Sequence, residues 1–379
     1  MLLPLARAMR ARGHEAWLLL RDPSAGADLD EETDVPREAA PVWVGPVHTA
    51  EPLNFGEILH NFGYQYPADL RALVEAWRDK LAAADAVVCN VAPAAHLAAR
   101  TLGIPSLEIS QGFHIPPPGL PSAPLRDWEP APRARLEAAD RRVLEAINRV
   151  LAAHGAALLA SIGELFAGRS MLLTYPELDI YPDRGPAEYF GVPETGEGRA
   201  LLPWPEGGEP RVIAYLYQYY EGLEGMLAAL KSLAFPTLAL CRGLEPALRA
   251  KYHGGTLHLT DTPLAFSRIL PQAGLVICHG SHQTTALALL ASKPVLLLPT
   301  HLEQFLIMRR AVRQGMGLGI APGTARPDFR AALAELAANP SYARKAAEFS
   351  RRYAGHDRGA CLATIAERCE AAIRANLRR

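Results

Sequence analysis

The chain has 379 residues, with 39 basic and 40 acidic side chains, and 49% of it is hydrophobic. At about 100–200 residues per domain this length holds two cores, and the composition excludes wholesale disorder. A net charge of −1 gives no general electrostatic reason to bind nucleic acid or an anionic membrane.

The opening MLLPLARAMRARGHEAWLLL has its apolar face broken by Arg7, Arg10, Arg12 and His14, and no small-x-small cleavage site follows, so it is read as mature protein rather than as a signal peptide. Leu2, Leu5 and Met9 fall at helical spacing, Gly13 ends the helix, and Ala16–Leu20 follows as a buried strand. A helix over Pro67–Ala84 leads to the strand Asp85–Asn90. Ala94–Leu102 is helical and stops at Gly103, and Pro105–Ser110 is strand. Gly112–Pro132 holds seven prolines and is expected to be an ordered surface loop. Helices over Arg133–His154 and Ser161–Ala167 and strands at Met171–Thr174 and Glu188–Gly191 complete a first domain over residues 1–191.

Residues 192–210 are rich in Pro, Gly and Glu and read as a linker. A second domain over 211–379 repeats the alternation. Its strands are Arg211–Tyr217, Thr237–Cys241, Thr256–Leu259, Leu275–Cys278 and Val295–Leu298. Its helices are Gly222–Leu233, Glu245–Tyr252, Pro263–Leu270, Thr284–Ala291, Glu303–Gln314, Pro327–Ala338 and a terminal stretch Ser341–Leu377 broken at Gly355, which can cross back to the first domain. Helices alternating with short apolar strands specify α/β domains with parallel sheets, here two of similar size with a cleft expected between them.

The cysteines, Cys89, Cys241, Cys278, Cys361 and Cys369, form no C-x-x-C pair, and three lie in apolar strand runs. They are expected to stay reduced, which points to the cytoplasm. His253 and His258 lack carboxylate or thiolate partners at metal spacing, so no zinc site is expected. No run of about 18 apolar residues predicts a membrane span.

The segment Leu275–Leu287, LVICHGSHQTTAL, reads as a buried strand, a turn, and a helix start bearing Thr284 and Thr285. Free N–H groups and the positive end of the helix dipole make such a turn an anion site, and His279 stands at the carboxyl end of the strand, where open α/β sheets bind ligands. A plain N-cap at Thr284 and a satisfied loop histidine account for the same residues equally well. Beyond the next strand lies PTHLEQ, where Glu303 and Gln304 can accept from and donate to sugar hydroxyls, or simply favour a helix's first turn.

Together, HGSHQTT, KPVLLLP and EQ resemble the donor-site signature of nucleotide-sugar-dependent glycosyltransferases, the UDP-glycosyltransferase and macrolide or antibiotic glycosyltransferase group, which share the GT-B fold of two facing, doubly wound Rossmann-like domains. RARGHEAWLLL and DAVVCNVAPAAHLAARTLGIPSLEISQGFHIPPPG also look like that group's first domain. The resemblance implies that the first domain holds the acceptor, a small-molecule or lipid-like hydroxyl compound, and the second a UDP- or dTDP-linked sugar. His279, Gly280, Ser281, Gln283 and Thr284 would grip the donor diphosphate, Glu303 and Gln304 the sugar or ribose, and neither metal nor other cofactor would be needed.

The sequence departs from that pattern in four ways. Ser281 and Gln283 replace turn glycines, and Ile307 stands where an Asn often follows the acidic-Gln pair. Asn90 occupies the position of the Asp that orients a catalytic His, and an amide cannot stabilise the imidazolium by charge. The chain also opens on a helix, whereas a doubly wound sheet has its first strand at the centre. A chain shortened by that strand is therefore expected. His114 is the replacement base considered, with Asp22 and Glu108 behind it. Tyr215–Tyr220 reads as aromatic packing at a strand end, and Arg368, Arg374, Arg378 and Arg379 as a solvated helix face. The alternatives to transfer are a catalytically degenerate sugar-nucleotide-binding or accessory protein and a nucleotide-sugar epimerase.

Overall fold

A computed structural model describes residues 2–24, 35–194 and 200–377. The chain divides into two compact units. The first comprises Met1–Tyr175, Tyr181–Glu194 and Asp357–Arg379, and the second Pro176–Ile180 and Thr195–His356. The boundary at Glu194 falls inside the expected linker, of which 195–199 lie outside the described residues, and the last helix is grouped with the first unit.

In the first unit, helix α1 (Leu2–Ala11) closes at Gly13, whose positive φ of 89° and N–H bond to Arg10 O end the helix as the sequence predicts. Strand β1 (Leu18–Leu20) pairs in parallel with β2 (Arg37–Ala39). Helix α2 (Phe55–His60) has no counterpart among the expected elements. Its N-cap Asn54 accepts from Glu57 N–H, and the Glu57 carboxylate accepts in turn from Leu53 N–H, a reciprocal cap written in the sequence as N-x-x-E.

Helix α3 (Pro67–Leu81), strand β3 (Val87–Cys89), helix α4 (Pro93–Leu102) and strand β4 (Ser106–Ser110) follow at the predicted places. Helix α5 (Arg133–Ala153) buries Val143, Ile147 and Leu151, and a 3-10 turn (Ile162–Leu165) precedes strand β5 (Ser170–Leu172). The expected strand Glu188–Gly191 reduces to one bridge between Leu172 and Tyr189.

Strands β3, β4 and β5 make one parallel sheet and β1 and β2 another. The two are separated by a cavity of about 290 Å³ that both β1 and β3 line. Residues of strands in fully covered parallel sheets are normally buried on both faces. Here Leu19, Val87 and Val88 are only half-buried.

The second unit carries the strands β6 (Val212–Tyr215), β7 (Thr237–Leu240), β8 (Leu257–Thr260), β9 (Leu275–Cys278), β10 (Val295–Leu297) and β11 (Gly317–Gly319). They form one parallel sheet in the order β11-β10-β9-β6-β7-β8, with the first strand at its centre. Between them run α6 (Leu223–Leu233), α7 (Pro246–Tyr252), α8 (Phe266–Ile269), α9 (His282–Leu290) and α10 (Leu302–Arg313).

Helices α11 (Phe329–Ala338) and α12 (Pro340–Arg352) close this unit. Central strand residues such as Ile277, Val276, Leu296 and Ala239 are fully buried, and α6 and α11 seal one face with Met226, Leu230 and Leu333. The terminal helix α13 (Arg358–Leu377) packs on α1, where Leu5 and Met9 meet Cys361, Ile365 and Cys369.

All five cysteines are free and buried. Among the described residues no helix is long and apolar enough to cross a membrane.

Candidate functional site

The turn between β9 and α9 is built as an anion-binding end of a helix. Ser281 is the N-cap, and Thr285 N–H is bonded to Ser281 O, so the N–H groups of His282, Gln283 and Thr284 precede the first intrahelical bond. The helix starts two residues before the sequence places it, which puts Thr284 inside the first turn rather than at the cap.

The two hydroxyls then separate in role. Thr285 Oγ1 donates back to Ser281 O at 2.9 Å and is buried, whereas the half-buried Thr284 Oγ1 and Ser281 Oγ carry no hydrogen bond among the described residues. Gly280 alone in this turn has positive φ, at +81°, and a Cβ there would sit 2.7 Å from Gln304 O. Ser281 has φ of −58°, so its replacing a glycine strains nothing, and Gln283 is helical.

His279 has a place different from the one its resemblance implies. It is 1% exposed, its Nδ1 donates to Leu298 O at 2.6 Å, and its Nε2 accepts from Tyr217 N–H at 2.8 Å. Both ring nitrogens are thereby engaged by the chain itself, which leaves none to offer a phosphate. These partners fix the neutral Nδ1–H tautomer, and burial lowers the pKa to about 4, opposed by the bond to Leu298. Tyr217 lies flat on the imidazole, with centroids 4.0 Å apart and an 8° interplanar angle. His279 therefore ties the loop after β6 to the ends of β9 and β10.

The neighbouring pair divides in the same manner. Gln304 is buried, its Oε1 accepts from Thr300 N–H and Oγ1 at 2.9 and 3.0 Å, and its Nε2 donates to Tyr217 Oη at 3.4 Å. Glu303 has no bond or ion pair among the described residues, and burial raises its pKa. The expected strand-end packing fits Tyr220, which meets His279 and Phe329. It does not fit Tyr219, 69% exposed and stacked on Tyr217 at 5.0 Å, nor Tyr215. A cavity of about 240 Å³ opens among Tyr215, Tyr217, Gln218, Tyr219 and Arg242, an aromatic wall where the sequence predicts packing alone.

The first unit holds the groups considered as bases. His114 does not stand on an open surface loop. Its ring meets Phe113 and Phe55 edge-on, at 4.7 and 6.4 Å, and burial lowers its pKa to about 4, well below the range that suits a general base. The Asn90 amide donates to Ile109 O, and Asp22 is committed to Ser24 through two hydrogen bonds that lower its pKa.

Glu108 has a partner that sequence spacing hides. Its carboxylate meets His96 Nε2 at 2.9 Å and accepts from Val91 N–H at 2.9 Å, with both side chains sealed from solvent. Cys89 joins them, so that a thiol, an imidazole and a carboxylate lie within 4.8 Å of one another. The hydrogen bond from His96 Nε2 accounts for the closeness of His96 and Glu108, while His96 Nδ1 is buried without a hydrogen-bond partner. His253 and His258, excluded as zinc ligands from sequence, stack on each other at 5.7 Å.

The fold is that of glycosyltransferases of solved structure. The calicheamicin glycosyltransferase CalG4 superimposes with a TM-score of 0.71 at 17% identity, covering 98% of this chain and 94% of that one. VinC, in complex with dTDP, gives 0.66 at 18%, covering 97% and 96%. SnogD from Streptomyces nogalater gives 0.61 at 20%, covering 96% and 95%. This likeness establishes a shared GT-B fold. No protein-family profile matches the sequence, and no curated protein does.

Proposed function

We propose that this protein transfers a sugar from a nucleoside-diphosphate donor to a hydroxyl acceptor. The observation that carries the reading is the start of α9, where three backbone N–H groups precede the first intrahelical bond, the hydroxyls of Ser281 and Thr284 are uncommitted, and Gly280 lies against the Gln304 backbone in the first turn of α10. Amides and a helix dipole stabilise charge that develops on a leaving diphosphate, and they do so without a metal. Glu303 is the group of the pair that can reach sugar or ribose hydroxyls. Gln304 and His279 act one step back, by holding Tyr217 and the turn in place. The acceptor is assigned to the first unit, and its deprotonation is general-base catalysis.

A second reading, sugar-nucleotide binding without turnover, is favoured by one observation: each base considered is engaged or buried, as described for His114, Glu108 and Asp22. One pair of measurements separates the two. Titration of UDP-, dTDP- and GDP-linked hexoses into the folded protein is expected to show binding, weakened roughly tenfold by Thr284→Ala through loss of one charge-assisted hydrogen bond. Release of free nucleoside diphosphate in the presence of hydroxylic acceptors is then expected for transfer, and binding alone for the second reading. A flat titration removes both.

A further inference from the structure

Two buried histidines of this protein are held in opposite ways. His279 spends both ring nitrogens on the chain, at Leu298 O and Tyr217 N–H, and needs nothing more. His96, sealed from solvent in the first turn of α4, spends one: Nε2 meets Glu108 at 2.9 Å, while Nδ1 is buried with no partner. Buried polar atoms are nearly always paired, so an orphan nitrogen in a closed interior calls for an occupant.

A ligand set surrounds it. Cys89 ends β3 and stands in register with Glu108 on β4, so strand pairing alone puts a thiol beside a carboxylate. Helix α4, which joins the two strands, brings His96 to them, and one donor atom from each residue lies within 4.8 Å of the others. All three residues are at most 2% exposed. Val91 N–H on Oε1 and His96 on Oε2 hold the Glu108 carboxylate in aim, and among the described residues no lysine or arginine balances its charge. Burial, and the carboxylate next to it, push the Cys89 thiol well above its ordinary range.

We propose that Cys89, His96 and Glu108 hold a zinc-class divalent cation that staples β3, α4 and β4 together. Sulfur and imidazole donors suit zinc, whereas magnesium and calcium want oxygen throughout. A thiolate and a carboxylate carry two negative charges, which the cation cancels, so the filled site is neutral and fit for burial. Binding expels the thiol proton to solvent, and the neutral ring keeps its one proton on the nitrogen that does not bind. The 2.9 Å between His96 and Glu108 widens to the roughly 3.4 Å that separates two ligands of a tetrahedral zinc, a matter of side-chain rotation. Three protein ligands leave the fourth position to water. The site belongs to the first unit and the α9 turn to the second, so the cation supports the strand end that carries Asn90 and takes no part in sugar transfer.

The test produces the whole protein in cobalt-supplemented medium, with cobalt(II) as the spectroscopic stand-in for zinc, and removes loose metal by gel filtration. One retained equivalent and a near-ultraviolet thiolate-to-cobalt charge-transfer band are expected, with the band lost when zinc displaces the cobalt. Cys89→Ala should lose the band and bind cobalt about a hundredfold more weakly, while Cys241→Ala, which removes another buried thiol, keeps both. Glu108→Gln, of nearly the same size, should keep the band and weaken binding by about tenfold or more, so the proposal stays open to refutation if circular dichroism shows Cys89→Ala unfolded. Wild-type protein that retains no cobalt, or affinity and band unchanged in Cys89→Ala and Glu108→Gln, overturns the proposal.

Discussion

The two sheets of this protein obey one grammar and reach different ends. In the second unit six parallel strands share every edge with a neighbour except at the two outer rims, and the central residues are fully buried. In the first, the five strands among the described residues divide two and three, and the residues facing the division stay half-buried. Parallel sheets owe their strength to coverage on both faces together with pairing on both edges. The comparison teaches that burial of a strand follows its edge partners: β6 and β9, paired on both sides, are fully covered except at Tyr215, whereas Leu19, Val87 and Val88, bordering a cavity, are not.

The largest effect that would break or uphold this contrast comes from trimming each centre. Ile277→Ala in β9 is expected to cost about 2–5 kcal/mol, whereas Val88→Ala in β3 should cost about 1, because its side chain already borders a cavity. Chemical denaturation followed by circular dichroism measures both, and equal losses would erase the distinction.

Acid should act next, and more strongly on the second unit. His279 and His282 there have pKa values lowered to about 4 by burial, against 6.5 for the free side chain, and His114 in the first unit is lowered likewise. A folded pKa below the unfolded one means that the unfolded chain takes up protons first. Stability is therefore complete above about pH 6.5 and declines as pH falls toward 4, by order 1–3 kcal/mol per group. Melting temperatures between pH 7 and 4 should show this decline, and His279→Gln should flatten it while lowering stability at pH 7. A midpoint constant across that range would mean that these rings are charged or open to water.

The finest comparison is between two glycines. Gly103, closing α4 with φ of +72°, has open space around a would-be Cβ, so Gly103→Ala should cost only the left-handed strain of about 1 kcal/mol. Gly280→Ala adds a clash with the Gln304 backbone and should cost about 1–2 kcal/mol more. Thermal melts read the difference.

Much of this was legible in the sequence. Apolar runs such as LVIC and PVLLL carry their own strand signal, and Gly13 and Gly103 punctuate helices by a backbone conformation that only glycine adopts freely. Strand β11 escaped because Gly317-Leu318-Gly319 lacks the β-branched pattern and is recruited by β10. The elements that carry the candidate residues were legible, but the direction of the side chains was not. A motif places His279 at the end of a strand, but whether its ring faces ligand or chain depends on Tyr217, 62 residues away, and on the carbonyl of Leu298. The His96–Glu108 pair is a tertiary coincidence of α4 and β4 that no local spacing announces.

The meeting of Tyr217, Gly280 and Gln304 has a consequence for engineering and descent. Because the Tyr217 ring stacks on His279 next to Gly280, Gly280 lies against the Gln304 backbone, and the Gln304 amide donates a hydrogen bond to Tyr217 Oη, changes in any one will be non-additive with changes in the others. On the proposed function, a change of donor preference would have to be grafted as a block of all three, and drift at these positions should leave correlated rather than independent substitutions.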